Sequence, residues 1–264
     1  MILIRKKIAL QLGIDSGKYD THTHIFEHKL ITSKKVRYKP SYDAKIETLI
    51  KALHKNRLNG AFLVQPSFYG SNNNYIIKKL KKHNHKKLYG VGVLSETKPL
   101  RDFKKILKNK FIGVRLNLYK RKIFKFNNEW NKVFELMIIH KLHLEIYVEN
   151  KKLVTLINSL PKKLIKIIDH CGTIQKESEL KWIDKVKEKD NIFVKCTHPF
   201  RLKKDFKTGD KLMSKFITYF SKKIGKKKIL WGSDFPWTGY ENKINDYSSV
   251  NRLAKNYSKQ INGS

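Results

Sequence analysis

Eight short apolar runs recur along this 264-residue chain, each followed by a polar or amphipathic stretch. They are Lys18 to Asp20, Gly60 to Val64, Leu88 to Leu94, Phe111 to Leu116, Leu142 to Val148, Leu164 to Ile168, Asn191 to Lys195 and Lys228 to Trp231. Apolar runs this short read as buried strands. Asp43 to Leu58 sets Ile46, Leu49, Ile50 and Leu53 at helical spacing, and Trp130 to His140 does the same with Val133, Phe134, Met137 and Ile138. Strands alternating with helices are parallel, because the crossover returns the chain to the same end of the sheet. Eight such units predict one (β/α)₈ TIM barrel, with residues 1–264 as a single domain. No Pro/Gly/Ser-rich linker or internal repeat divides the chain. An open doubly wound sheet is the alternative, but no glycine-rich phosphate loop follows the first run.

A barrel of this kind carries its reactive side chains at the C-terminal ends of its strands. The first run leads into Asp20-Thr21-His22-Thr23-His24. In extended chain, residues two apart point the same way, so His22 and His24 converge on one metal ion or carbonyl oxygen. The second run ends in Gln65-Pro66-Ser67-Phe68-Tyr69-Gly70, the fifth at Tyr147, and the sixth in Asp169-His170-Cys171-Gly172. The eighth ends in Trp231-Gly232-Ser233-Asp234-Phe235-Pro236. There Asp234 stands where a general base would reach a water on the barrel axis.

Charge needs separating into its two residue types. The formal net charge is +36, from 58 basic and 22 acidic residues, and 50 of the basic residues are lysine. The lysines are spread along the chain, mostly on predicted helices, as codon bias toward A/T would place them. No nucleic-acid motif accompanies them, so only loose, salt-sensitive binding to polyanions is expected, with no specific nucleic-acid partner. Arginine behaves differently: three of the eight, Arg115, Arg121 and Arg201, fall in predicted mouth loops. The guanidinium fork binds carboxylates in a way lysine cannot copy, so these three are read as anchors for a small anionic substrate. Two cysteines imply no disulfide framework. The N-terminus lacks a secretory apolar run and no stretch is long enough to span a bilayer, which predicts a cytoplasmic protein without a membrane partner.

The segments DTHTHIF, VQPSFYG, GVRLN, DHCG and WGSDFPWT, in this order across most of the chain, resemble the amidohydrolase superfamily, in particular the branch of 2-pyrone-4,6-dicarboxylate lactonase and sugar-lactone hydrolases. The resemblance implies a lactone hydrolase in which His22, His24 and His170 polarise the carbonyl and Asp234 activates water. It implies that Arg115, Arg121 and Arg201, with Tyr147, Ser67 and Tyr38, contact the substrate. Two-metal members carry a bridging Lys or Glu on strand 4 and a histidine on strand 5, where this chain has Arg115 and Tyr147. No cofactor is therefore expected, the alternative being one zinc or manganese ion on His22, His24 and Asp234. Competing readings are a metal-dependent decarboxylase of an aromatic or unsaturated acid on the same barrel, and a non-catalytic polyanion-binding barrel. Family members continue beyond the last helix, whereas this chain ends at Asn262-Gly263-Ser264, which implies a barrel short at its C-terminal side. His198 is assigned no role.

Overall fold

The computed structural model describes residues 18–31, 36–244 and 246–262. The ends of the expected domain, residues 1–17 and 263–264, lie outside it. The described chain runs β1 Tyr19–Thr23, α1 Ile46–Lys55, β2 Gly60–Val64, α2 Asn74–Lys82, β3 Lys87–Gly92, α3 Pro99–Leu107, β4 Phe111–Asn117 and α4 Asn128–Ile139. It continues with β5 His143–Tyr147, α5 Asn150–Ser159, β6 Ile165–Ile168, β7 Ile192–Cys196, α6 Phe206–Ile224, β8 Ile229–Trp231 and α7 Tyr247–Asn262. All eight strands are parallel and pair in chain order, as in a (β/α)₈ barrel.

The amphipathic helices form where their apolar stripes demand. Ile46, Leu49 and Leu53 of α1 are buried, as are Trp130, Val133, Phe134 and Met137 of α4. Side-chain caps start three of the described helices: Asn127 accepts from the Trp130 N–H at 3.1 Å, Asp205 from the Thr208 N–H at 2.7 Å, and Asp246 from the Ser249 N–H at 2.9 Å. Gly225, at φ +93°, ends α6 in a conformation other residues resist. One crossover departs from the expected pattern. Between β6 and β7 the chain makes 3₁₀ turns over Glu177–Lys185 instead of an α-helix. Its buried residues, Leu180, Trp182 and Ile183, lie within four positions, too few for an amphipathic stripe.

Two apolar clusters result. The larger fills the layer between strands and helices. The smaller comprises Tyr19, Phe62, Val64, Tyr89, Val91, Ile112, Ile167 and Leu230 and fills the barrel interior. Strand alternation then sends Lys195, two past Phe193, and Asp169, two past Ile167, to that same interior. Closure comes from chain beyond β8. The Asp234 N–H donates to the His22 carbonyl at 2.8 Å, and the His24 N–H to the Phe235 carbonyl at 2.7 Å. Only glycine permits this approach at position 232, since a Cβ there would lie 2.4 Å from that of His22. Asp20 clamps the seam: Oδ1 accepts from the His22 and Ser233 N–H groups at 3.1 and 2.8 Å, and Oδ2 from the Tyr247 hydroxyl on α7.

Candidate active site

The strand ends bring His22, His24, His170 and Asp234 together, all buried. His22 sits within β1 rather than past it, because the strand runs on to Thr23. The rings of His22 and His24 lie 4.9 Å apart edge to face, and His22 and His170 are equally close. Oδ1 of Asp234 lies 3.7 Å from His22 Nε2 and 3.5 Å from His24 Nε2. The backbone at the site is locally strained. Asp234 has φ +61°, and His170, Cys171, Gly172 and Thr173 form a run of φ between +50° and +67°. That run turns His170 back over the barrel axis, where Nδ1 lies 3.0 Å from the Thr197 hydroxyl.

The other carboxylate oxygen, Oδ2, is occupied. Arg201 donates to it through Nε at 2.6 Å and Nη2 at 2.5 Å, and His198 Nε2 lies 3.2 Å away. Burial alone would raise this carboxyl, but Arg201, with the hydrogen bond from His198, more than offsets it and holds Asp234 well below the usual carboxylate range. Burial pushes His170 well below the ordinary histidine value. Burial, then the ammonium of Lys195, lowers His22 to about 4.

Beneath this group lies a layer of ions inside the barrel. Lys195 Nζ, fully buried, contacts Glu145 Oε1 at 2.6 Å, His22 Nδ1 at 3.1 Å and Asp169 Oδ1 at 3.3 Å. Arg115 Nε donates to Asp169 Oδ2 at 2.9 Å. Burial opposes ionisation of Asp169, yet Lys195 and Arg115 prevail and hold it well below its ordinary value.

Above the site opens a cavity of about 470 Å³. His24, His170, Tyr147, Ser67 and Tyr38 line it. Among the described residues so do six cations, Arg37, Arg115, Lys120, Arg201, Lys204 and Lys243, and no carboxylate. Tyr147 stacks on Tyr119 at 4.7 Å and touches His170. The hydroxyl of Tyr38 donates to Glu241 at 2.6 Å; burial, then Glu241, pushes it up to about 12. Arg121 stands apart. Its side chain is 57% exposed, pairs with Glu96 at 2.5 Å, and borders the adjoining lobe of the mouth instead of this cavity.

Sequence reasoning missed Arg37, His198, Glu145 and Lys195. A usable signal existed for two of them. Glu145 and Lys195 are charged residues inside five-residue apolar strands, on the side that alternation turns inward.

Among the described residues, two groups of donors are close enough to share a metal ion: His22, His24 and Asp234, and His22, Asp169 and His170. The spacings of 3.5 and 3.7 Å in the first match the ligand–ligand distance of about 3.4 Å around tetrahedral zinc. His22 Nε2 and Asp234 Oδ1 also lack hydrogen-bond partners. The charge count opposes the fit. Asp234, Asp169 and Glu145 are already matched one for one by Arg201, Arg115 and Lys195. A dication would leave a buried excess of two positive charges, so the residues as arranged here do not suit one.

The sequence matches the amidohydrolase family over residues 19–258. No curated protein matches it by sequence. Among solved structures, it is similar to a probable 2-pyrone-4,6-dicarboxylic acid hydrolase from Acinetobacter baumannii with citric acid bound. The identity is 24%, over 94% of this chain and 93% of that one, with TM-score 0.81. A zinc-bound amidohydrolase from Burkholderia multivorans is similar at 14% identity over 92% and 91%, TM-score 0.72. So is 5-carboxyvanillate decarboxylase from Novosphingobium aromaticivorans with manganese, at 11% identity over 95% and 98%, TM-score 0.60. Solved structures of this fold thus include metal-bound proteins. The family match over residues 19–258, carried on eight parallel strands with the histidines and aspartate at their ends, means that this chain belongs to the amidohydrolase family.

Proposed function

We propose that the protein hydrolyses a small lactone bearing carboxylates, of the 2-pyrone-4,6-dicarboxylate or sugar-acid type, without a metal ion. One observation carries this reading. The cavity over His24 and His170 is lined by six cations, of which Arg115 and Arg201 are paired with Asp169 and Asp234 beneath them, and among the described residues by no acid; the four others leave a field that concentrates small anions. Arg115 and Arg201, which line it together with Arg37, Ser67, Tyr38 and Tyr147, would take the substrate carboxylates.

The chemistry follows from the two faces of Asp234. Oδ1 is directed at the histidines, where an attacking water would stand. The water oxygen bonds to the lactone carbonyl carbon while one of its protons passes to Asp234. His22 and His170 stabilise the growing charge on the carbonyl oxygen. The ring C–O bond then breaks, and the leaving ring oxygen takes the proton back from Asp234. A carboxylate held as low as Asp234 is a weak base at rest. A substrate carboxylate that engages Arg201 draws the guanidinium off Oδ2 and restores that base strength. Substrate and catalyst are thereby coupled through one arginine.

A decarboxylase reading draws on the metal-like spacing of His22, His24 and Asp234; it requires a bound ion and an aromatic or unsaturated acid. The direct test is hydrolysis of paired lactones with and without ring carboxylates. The carboxylated member should turn over, and Asp234→Asn should reduce kcat by about 10²–10⁴-fold with an unchanged far-UV spectrum. Equal turnover of uncarboxylated lactones, or full activity in Asp234→Asn, would remove the basis of the proposal.

A further inference from the structure

Lys195 does not line the cavity and takes no part in the steps above, yet it is one of the largest fully buried side chains in the protein. We propose that Lys195 is a positioning residue: its ammonium fixes His22 in the Nε2–H tautomer and so withdraws His22 from metal ligation. The inference rests on the metal-independent reading and supplies its structural cause.

An ammonium has three protons and accepts nothing. Lys195 has three neighbours to receive them, Glu145 Oε1 at 2.6 Å, His22 Nδ1 at 3.1 Å and Asp169 Oδ1 at 3.3 Å. Nδ1 of His22 therefore presents its lone pair to the lysine, and the single ring proton sits on Nε2. Nε2 points to the centre of the site, 3.7 Å from Asp234 Oδ1. His24 is fixed the other way. Its Nδ1–H donates to the Val64 carbonyl at 2.8 Å, which leaves a lone pair on Nε2, 3.5 Å from the same oxygen. Two histidines on one strand face thus bring opposite functions to one point. His22 donates, toward a carbonyl oxygen; His24 accepts, toward the water.

The same geometry bears on metal. To ligate an ion through Nε2, His22 would have to carry its proton on Nδ1, against an ammonium 3.1 Å away. In metal sites that proton is given to a carboxylate. Asp169 Oδ1 stands 3.5 Å from Nδ1 and would serve, but Lys195 contacts both atoms. Taking away the ammonium turns the cluster into an ordinary carboxylate–histidine–metal arrangement.

Nitrogen-15 NMR of histidine-labelled wild-type protein reads the tautomers directly. His22 should be protonated at Nε2 and His24 at Nδ1. A proton on His22 Nδ1, or the same tautomer in both rings, overturns the proposal. Zinc retention after dialysis supplies a second readout, counted above that of the His24→Gln variant to exclude surface histidines. The wild type should retain none. Lys195→Met combined with Glu145→Gln, which removes one charge of each sign, should retain about one ion per chain, at least about tenfold more tightly than the wild type. Equal retention by the two proteins overturns the proposal. If the double variant fails to fold, the wild-type tautomers decide alone. Neither readout requires lactone turnover, so a failed lactonase assay leaves this inference standing, and the reverse holds as well.

Discussion

Arg115 shows how one side chain is divided between substrate and scaffold. Its Nε is committed to Asp169 at 2.9 Å, while the rest of the guanidinium lies over Tyr147 and borders the cavity. Arg115→Met should cost about 3–5 kcal/mol, because a buried carboxylate loses a partner. Adding Asp169→Asn should recover most of that loss in urea titrations, and substrate affinity should stay weak in both variants. An uncoupled, additive pair would show that the ion pair does not hold the site. Reading from sequence worked best where residue type is itself chemistry. His22, His24, His170 and Asp234 stood out at the ends of apolar runs, and the structure brings them together. Lys195 was overlooked among 50 lysines, although its place inside a short apolar strand, on the side that alternation turns inward, was the one mark of its burial. Arg201 was recognisable as a mouth arginine, whereas its pairing with Asp234 depends on two strand ends 33 positions apart. Tyr38 was placed near the site, and its bond to Glu241, more distant still along the chain, was likewise hidden.

At the scale of elements, the seam between β1 and β8 sets the geometry of the site. Asp20 holds it through three hydrogen bonds. Burial raises this carboxyl from 3.8 to about 6, against the bonds from Ser233, Tyr247 and His22 that lower it. For an acid whose folded value is raised, the folded state binds the extra proton. The associated stability is present below about pH 4 and is lost as pH rises through about 6. The shift of roughly two pH units corresponds to about 3 kcal/mol. Asp20→Asn keeps two acceptor bonds and removes the charge. Its stability relative to wild type should rise by that order between pH 4 and 7, measured by denaturation at each pH; a flat difference would contradict the assignment. Strand positions were legible because apolar runs bounded by turn residues read directly, and Gly60–Val64 agrees to the residue. The first strand was drawn too short because Thr21, His22 and Thr23 are polar. The two threonine hydroxyls are met by partners from β8 and β2: Thr21 bonds the Trp231 carbonyl and Thr23 the Phe62 carbonyl. The 3₁₀ crossover after β6 was not foreseen, since its brevity depends on how few of its residues the barrel covers.

Over the whole molecule, the net charge of +36 is expected to act on association and not on chemistry. Carboxylated substrates should be captured faster at low ionic strength, so kcat/KM should fall with added salt while kcat holds. Retention on nucleic acid should vanish near physiological salt; retention that persists there would favour a dedicated polyanion-binding surface. The central claim is hydrolysis by the protein's own side chains, without a metal ion. It is tested by following the ring opening of 2-pyrone-4,6-dicarboxylate in chelator-treated protein, before and after addition of zinc or manganese. The account predicts full turnover without metal and no gain on addition. Turnover that appears only once metal is restored would contradict it.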